Sequence, residues 1–492
     1  MEDGLARLAS LDASVADSGA ASDSGVEGPI RLRDIALTVN ARDSLSFPPF
    51  DGGELPLTFP RRDDVRAQWR HRDGGWGLAT GALLDDGGYL IPAVPEGDAV
   101  IFVRSSPFAV VTTESFLDLS YVVSGRKDAV AAPPNRPTTL NCAFFDMNPW
   151  EPANDRWFIA SFESPFAENI LNANPPAGLT NSTLPVPLHQ ISVPLPEGRL
   201  GDTVSLFQLR RRQAGPLSYR SILSGSTVLA PNMSPGATET VVMPFTSPFD
   251  GGVDLDLDVP SLVDVARAVR PAPAPVNTLT FGINAVRNHR VVGQVTRGFR
   301  GNLSNVTVVG AEPLLPTVGR VQQRIEWATL VPTEDLLAYV FVRTDIRVQG
   351  PTFSGIFDAY HERFVPLDGP TLTMRGALTP PRDIRVNGMS GALSAVGLTP
   401  RISWLPPERG SPARYTVSFQ RAVFQNGSIT WSEASSFATT QTSLEVPPFA
   451  LQSGVVYAVE VRAWSGAFNP RQPGFLPSDV EISANVSDLF IP

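Results

Sequence analysis

The chain has 492 residues and a formal charge of −10, with 42% hydrophobic and 18% charged residues. That is apolar enough to build packed cores in about three or four domains, so a wholly disordered chain is excluded. The acidic balance argues against a nucleic-acid partner, which needs Lys and Arg to neutralise phosphates. The 47 prolines and 40 glycines exclude a mainly helical protein, because an interior proline removes a helix hydrogen bond and clashes with the preceding turn.

Residues 1–28, "MEDGLARLASLDASVADSGAASDSGVEG", have no basic segment leading into an apolar one, so the chain as given shows no secretion signal. Their small polar composition predicts an acidic tether that packs against nothing. No stretch approaches the roughly 20 apolar residues needed to span a bilayer.

Residues 29–128 predict a small β-sandwich. Leu32, Ile35, Leu37 and Val39 alternate with one slip near Asp34, and "RDGGW" and "LDDGGY" are hairpin turns in which Asp-Gly supplies positive φ. After the linker "DAVAAPPNRP", residues 138–376 predict a larger β-rich region. Cys142 is the only cysteine, which excludes an internal disulfide and a cysteine-based zinc site; alternation with Leu140 and Phe144 turns it inward as a structural thiol. One helix is expected at "PSLVDVARAVRP", capped by Ser261 and with Leu262, Val265 and Val269 on one face. The following "PAPAPVN", residues 271–277, is expected to divide the region into two sub-domains.

Residues 377–492 return to short strands. "TPPRDIRVNG" places paired prolines before a first strand, "RISWLPP" puts Trp404 in a second, and "ARYTVSFQR" supplies Tyr-x-Val in a third. Leu451 precedes the run Tyr457 to Ala463. This set resembles a fibronectin type III domain, an immunoglobulin-like sandwich. The resemblance implies structural roles for Trp404 as central core residue, Leu451, and Tyr457 as tyrosine-corner residue with its hydroxyl bonded to backbone. No Arg-Gly-Asp occurs in these loops, so integrin-type recognition is not implied. Residues 87–103, a glycine-aromatic strand followed by "VPEG" and an alternating strand, resemble the small transthyretin-like sandwich of carboxypeptidase regulatory domains. The N-terminal tether resembles those that follow the lipidated cysteine of bacterial surface lipoproteins. That implies an extracellular or outer-surface location, with a lipid anchor lost from the N-terminus. The layout as a whole resembles uncharacterised surface lipoproteins of that kind.

Catalytic signatures are sparse. There is no G-x-S-x-G, and the histidines at 71, 189, 289 and 361 are scattered. "YHERF" lacks the second histidine of a zinc-protease helix. In "SPFDGGVDLDLDVP", Asp254, Asp256 and Asp258 share one face of a strand, with Asp250 before the Gly-Gly turn. That spacing could hold calcium; it equally suits a charged strand edge that discourages aggregation. Trp150, in a proline-rich loop, and Trp157 could form a platform for sugar rings, as could Trp69 and Trp76, against core packing as the plain alternative. The run Arg210-Arg211-Arg212 reads as an exposed strand end.

The expected fold is therefore all-β, a set of sandwiches with a fibronectin-like end. The expected function is a non-enzymatic surface protein acting in binding, adhesion or spacing, with a protein or surface glycan as partner. Two alternatives stand beside it: a polysaccharide-acting hydrolase with its site in 138–376, and a structural subunit of a surface assembly. No cofactor beyond calcium is expected.

Overall fold

The computed structural model describes residues 31–38, 40–43, 54–56, 65–85, 88–103, 108–119, 121–123, 133–161, 166–170, 175–189, 195–247, 249–269, 275–286, 306–328, 335–351, 353–425, 428–471 and 479–492. The expected tether, residues 1–28, lies outside them.

The first sandwich contains β1 (Leu32–Thr38), β2 (Asn40–Asp43), β3 (Glu54–Pro56), β4 (Val65–Arg70), β5 (Trp76–Thr80) and β6 (Ala82–Leu83). It continues with β7 (Tyr89–Pro95), β8 (Ala99–Val103), β9 (Phe108–Thr112), β10 (Phe116–Asp118) and β11 (Tyr121–Val123). The second contains β12 (Thr139–Phe145), β13 (Asp155–Ser161), β14 (Phe166–Ile170), β15 (Ser182–Pro187), β16 (Thr203–Ala214), β17 (Leu217–Leu229) and β18 (Thr238–Pro244). The third opens with β19 (Phe249–Leu257) and helix α1 (Val259–Arg267). Its other strands are β20 (Val276–Val286), β21 (Val306–Ala311), β22 (Val321–Ala328), β23 (Asp335–Gln349), β24 (Ser354–Pro366) and β25 (Thr371–Met374).

These three sandwiches share one wiring. In each, the first strand lies between an antiparallel and a parallel neighbour: β1 between β7 and β10, β12 between β15 and β18, β19 between β22 and β25. In each, the facing sheet repeats one order: β5-β4-β8-β9, β14-β13-β16-β17 and β21-β20-β23-β24. The division within 138–376 therefore falls between Pro244 and Phe249, which corrects the expected boundary at 271–277. The residues on either side of "PAPAPVN" belong together: Val259 and Leu262 of α1 and Leu279 and Phe281 of β20 share one core. Pro-rich composition marks an intra-domain connection here, not a linker.

The terminal module contains β26 (Arg382–Val386), β27 (Leu393–Ser394), β28 (Arg401–Leu405), β29 (Arg414–Gln425) and β30 (Ser428–Thr439). It is completed by β31 (Ser443–Glu445), β32 (Tyr457–Trp464), β33 (Val480–Val486) and β34 (Phe490–Ile491). One sheet runs β26-β28-β31 and the other β30-β29-β32-β33, the two-sheet arrangement of a fibronectin type III domain. Trp404, Leu451 and Tyr457 are buried in its core. Trp404 meets Tyr415 edge-on at 5.3 Å, and the Tyr457 hydroxyl accepts a hydrogen bond from the Gln452 N–H at 3.1 Å.

The large sheets of all four units merge. The parallel pair β9–β30 joins the first sandwich to the terminal module, β24–β33 joins the module to the third sandwich, and β17–β21 joins the third to the second. Of the eighteen strands in this sheet, β27 and β34 branch from its side, which leaves sixteen in line from β5 to β14. Each join satisfies backbone donors and acceptors that an edge strand would expose to water or to another chain.

The cores alternate across this common sheet. On β8, Ala99 and Ile101 point into the first sandwich's own core, whereas Val100 and Phe102 point the other way, into the core of the terminal module. On β13, Trp157 and Ile159 enter the second sandwich's core, while Phe158 and Ala160 enter that of the third. Following the cross-strand partners, the small sheets of the first and second sandwiches cover one face, at its two ends. Those of the third sandwich and the terminal module cover the opposite face, in the middle. The middle of the first face is thus the floor of a trough, made by β29, β32, β33, β24 and β23.

Candidate functional site

Asp254, Asp256 and Asp258 of the acidic strip on β19 each have a partner within the protein. Asp254 reaches Arg324 at 3.1 Å on β22. Asp256 receives both arms of the Arg320 guanidinium, which together hold its carboxyl below the usual carboxylate range. Asp258 caps α1, accepting from the Ser261 N–H at 3.2 Å, so the cap is Asp258 and not Ser261. The side chain of Asp250 lies outside the described residues. Among the described residues no group of three or more His, Cys, Asp or Glu side chains converges as metal ligands would; neighbouring arginines and a helix end take up Asp254, Asp256 and Asp258.

Trp150 and Trp157 are 1% and 0% exposed and stack on each other at 4.7 Å with an interplanar angle of 22°. Phe144 and Phe245 close around Trp157. The ligand-platform expectation is overturned for both. The loop that carries Trp150 folds back onto residues 178–179: the Trp150 N–H donates to Leu179 O, and the Gly178 N–H donates to Trp150 O. Below it, buried Asp155 accepts from Arg210, Gln208 and the Glu151 N–H at 2.7–2.8 Å. One member of the basic run is thereby a partly buried ion pair, and Arg211 pairs with Glu312 at 2.6 Å. Cys142 is buried, and burial pushes its thiol up to about 12, which leaves it unreactive.

Trp69 and Trp76 are half-buried and line a cleft of about 1200 Å³ between the first sandwich and the terminal module, opposite Arg401 and Glu445. Their faces are partly taken. Trp69 lies over Gly77, where a Cβ would sit 2.2 Å from the indole, and the Arg70 guanidinium lies 5.5 Å from the centre of the Trp76 ring.

The most unusual chemistry lies in the trough, at the join of β24 and β33. Arg462 is 1% and Glu460 3% exposed. The guanidinium grips the carboxylate in a fork, Nε to Oε1 and Nη2 to Oε2, both at 2.9 Å, and Gln420 Nε2 donates to Glu460 Oε2 at 3.1 Å. Burial alone would lower the pKa of Arg462, but Glu460 and its neighbours hold it well above the usual value. Arg462 also lies over the Tyr360 ring at 5.9 Å. Glu362, 6% exposed, is different. No hydrogen bond or ion pair ties its carboxylate to a described residue, and burial pushes its carboxyl up to about 7, opposed by Arg462 and reinforced by Glu460. It opens onto a cavity of about 680 Å³ walled by Tyr339, Phe341, Phe364, Tyr360 and Trp431. Cross-strand register places these groups side by side: Tyr339 beside Phe364, Phe341 beside Glu362, Arg343 beside Tyr360. Tyr339 can lie close because Gly282 stands beneath it, where a Cβ would come within 2.6 Å of the ring.

On the other face of β24, His361 is fully buried. Its Nε2 is 3.2 Å from Glu481 Oε1, without the alignment of a hydrogen bond. Burial, with Arg363 nearby, lowers its pKa to about 3 and keeps it neutral. Glu481 in turn accepts from the Ala377 and Leu378 N–H groups at 2.6 and 2.8 Å, pinning the connection between the third sandwich and the terminal module.

No family model matches the chain, and no curated protein matches it. Among solved structures it is similar to a streptococcal ancillary pilin, at 11% identity over 70% of this chain and 98% of that one, with a TM-score of 0.11. The chicken CNTN1 FN1-FN3 domains are 10% identical over 80% and 95%, with a TM-score of 0.14. A tetra-tandem repeat from the extending region of a large adhesion protein is 12% identical over 92% and 98%, with a TM-score of 0.11. At such scores these likenesses add nothing to what the strand wiring shows. The chain is an all-β protein of several sandwiches, and among the described residues no helix is long and apolar enough to cross a membrane.

Proposed function

We propose that the protein is a non-enzymatic binding or spacing component of a cell surface, in which four sandwiches act as one stiff body. The observation that carries this reading is the common sheet: each unit is joined to the next by paired strands and not by a bare linker. Interfaces between domains of one chain are ordinarily polar and loose and permit relative motion. Ladders across three joins remove that freedom, which suits a part that must hold a fixed shape. Extracellular placement and a protein or glycan partner belong to the same proposal. So does a transthyretin-like character for the first sandwich, with the second and third proposed to share it because they are wired alike.

The test has two arms. Intact cells producing the protein are labelled with an antibody, and the purified chain is passed over a polysaccharide panel, scoring retention and released sugar ends together. Surface labelling without sugar release supports the proposal; labelling only after lysis overturns the location, and sugar release overturns the non-enzymatic reading. A hydrolase is the second reading because Glu362 and Glu460 border one cavity. Against it, both oxygens of Glu460 are gripped by Arg462, which leaves no free carboxylate to act opposite Glu362.

A further inference from the structure

We propose that the trough cavity over Glu362 binds an organic cation, with an ammonium group seated on the Glu362 carboxylate between the rings of Tyr339, Phe341 and Phe364. Three observations carry it. First, Glu362 is the cavity carboxylate that no guanidinium contacts: Arg462, whose charge reaches it, is forked on Glu460. Glu460 is held by Arg462, and Asp358 by Arg343 at 2.8 Å. A desolvated carboxylate with no partner is costly, and a ligand that brings a positive charge relieves that cost.

Second, the walls suit a cation more than an anion. Ring faces attract ammonium groups, the more so when water is excluded. Arg343 and Arg462, which an anion would need, are already committed to carboxylates. Third, the size and ligand set fit an organic group and not a bare metal ion. The cavity holds about 680 Å³, the range of small-molecule sites, whereas a hard cation wants six or more oxygens and no such group of ligands stands among the described residues. The site joins two sandwiches: Glu362 and the rings come from β23 and β24, while Trp431 and Glu460 come from the terminal module. A ligand there would bridge the join.

The experiment is calorimetric titration of the full chain with tetramethylammonium and with spermidine, at pH 8 and low salt, beside potassium chloride and cellobiose as controls. Saturable binding of at least one amine is expected, weakened about tenfold or more in Glu362→Gln. Phe341→Leu, which thins the wall without touching the charge, should weaken it as well and keeps the proposal testable if the glutamine variant does not fold. The absence of saturable binding by either amine overturns the proposal. So does amine affinity unchanged in the folded variants, or binding of cellobiose in place of the amines.

Discussion

Two groups of carboxylates in this protein meet opposite circumstances. Asp254 and Asp256 sit on the outer face of β19, each within reach of an arginine on or just before the adjacent strand and still open to solvent. Glu362 and Glu460 sit in the trough, nearly closed to water, where Arg462 is forked on Glu460 and leaves Glu362 uncontacted. The chemical group is the same; the number of counter-charges and the access of water differ. On the strip, pairing decides little, because exposed ion pairs contribute about 0–1 kcal/mol. In the trough, pairing decides whether burial is tolerated at all.

The comparison can be broken most sharply at the arginines. Arg462→Met should leave Glu460 buried without its fork and cost about 3–5 kcal/mol, read as a fall in the denaturant midpoint. Arg320→Met on the strip should leave that midpoint within the scatter of replicates. If the two variants behave alike, the distinction between strip and trough fails.

Next in size is the dependence of stability on pH. The folded pKa of Glu362, about 7, lies above its ordinary value of 4.5. The folded state therefore binds this proton more tightly than the unfolded state, and stability declines as pH rises from about 4.5 to about 7, by about 3 kcal/mol in all. His361 runs the other way. Its folded pKa, about 3, lies below its ordinary 6.5, so stability declines as pH falls from about 6.5 towards 3. Glu362→Gln should flatten the first decline and leave the second, and His361→Phe the reverse; melting curves from pH 3 to 9 would show it. A profile unchanged by either substitution would contradict the burial argument.

Smaller still, Asp258→Ala removes the cap of α1 and should cost about 1 kcal/mol without changing the pH profile. Smallest of all, millimolar calcium should leave the melting temperature where it was. A clear rise, abolished by Asp254→Asn with Asp256→Asn, would make the strip a cation site.

What could be read from the residues follows the range of the interactions. Period-two strands, the Asp-Gly turn of "RDGGW" and the spacing of Trp404, Leu451 and Tyr457 are local signals, and each has its counterpart in a strand, a turn or the terminal core. The helix is legible too, although its cap lies three residues before Ser261, at Asp258, whose place in an acidic run points equally to a cation ligand. The "PAPAPVN" boundary misled because proline breaks a strand or helix wherever it occurs, inside a domain as well as between two. Trp150 misled because its loop is folded back by hydrogen bonds to residues some thirty positions away. The trough was invisible for a stronger reason. Glu362 and Glu460 are almost a hundred residues apart and belong to different sandwiches, brought together only by the β24–β33 ladder. "YHERF" lacks the second histidine of a zinc-protease helix, and as a strand it sends His361 and Glu362 to opposite faces.

The four sandwiches share one hydrogen-bonded sheet, and hydrogen exchange of the backbone amides tests this most directly. Peptides covering β9 with β30, β24 with β33 and β17 with β21 should exchange as slowly as the interior pair β16 with β17. Fast exchange at those three joins, beside slow exchange within each sandwich, would show four separate modules and contradict it.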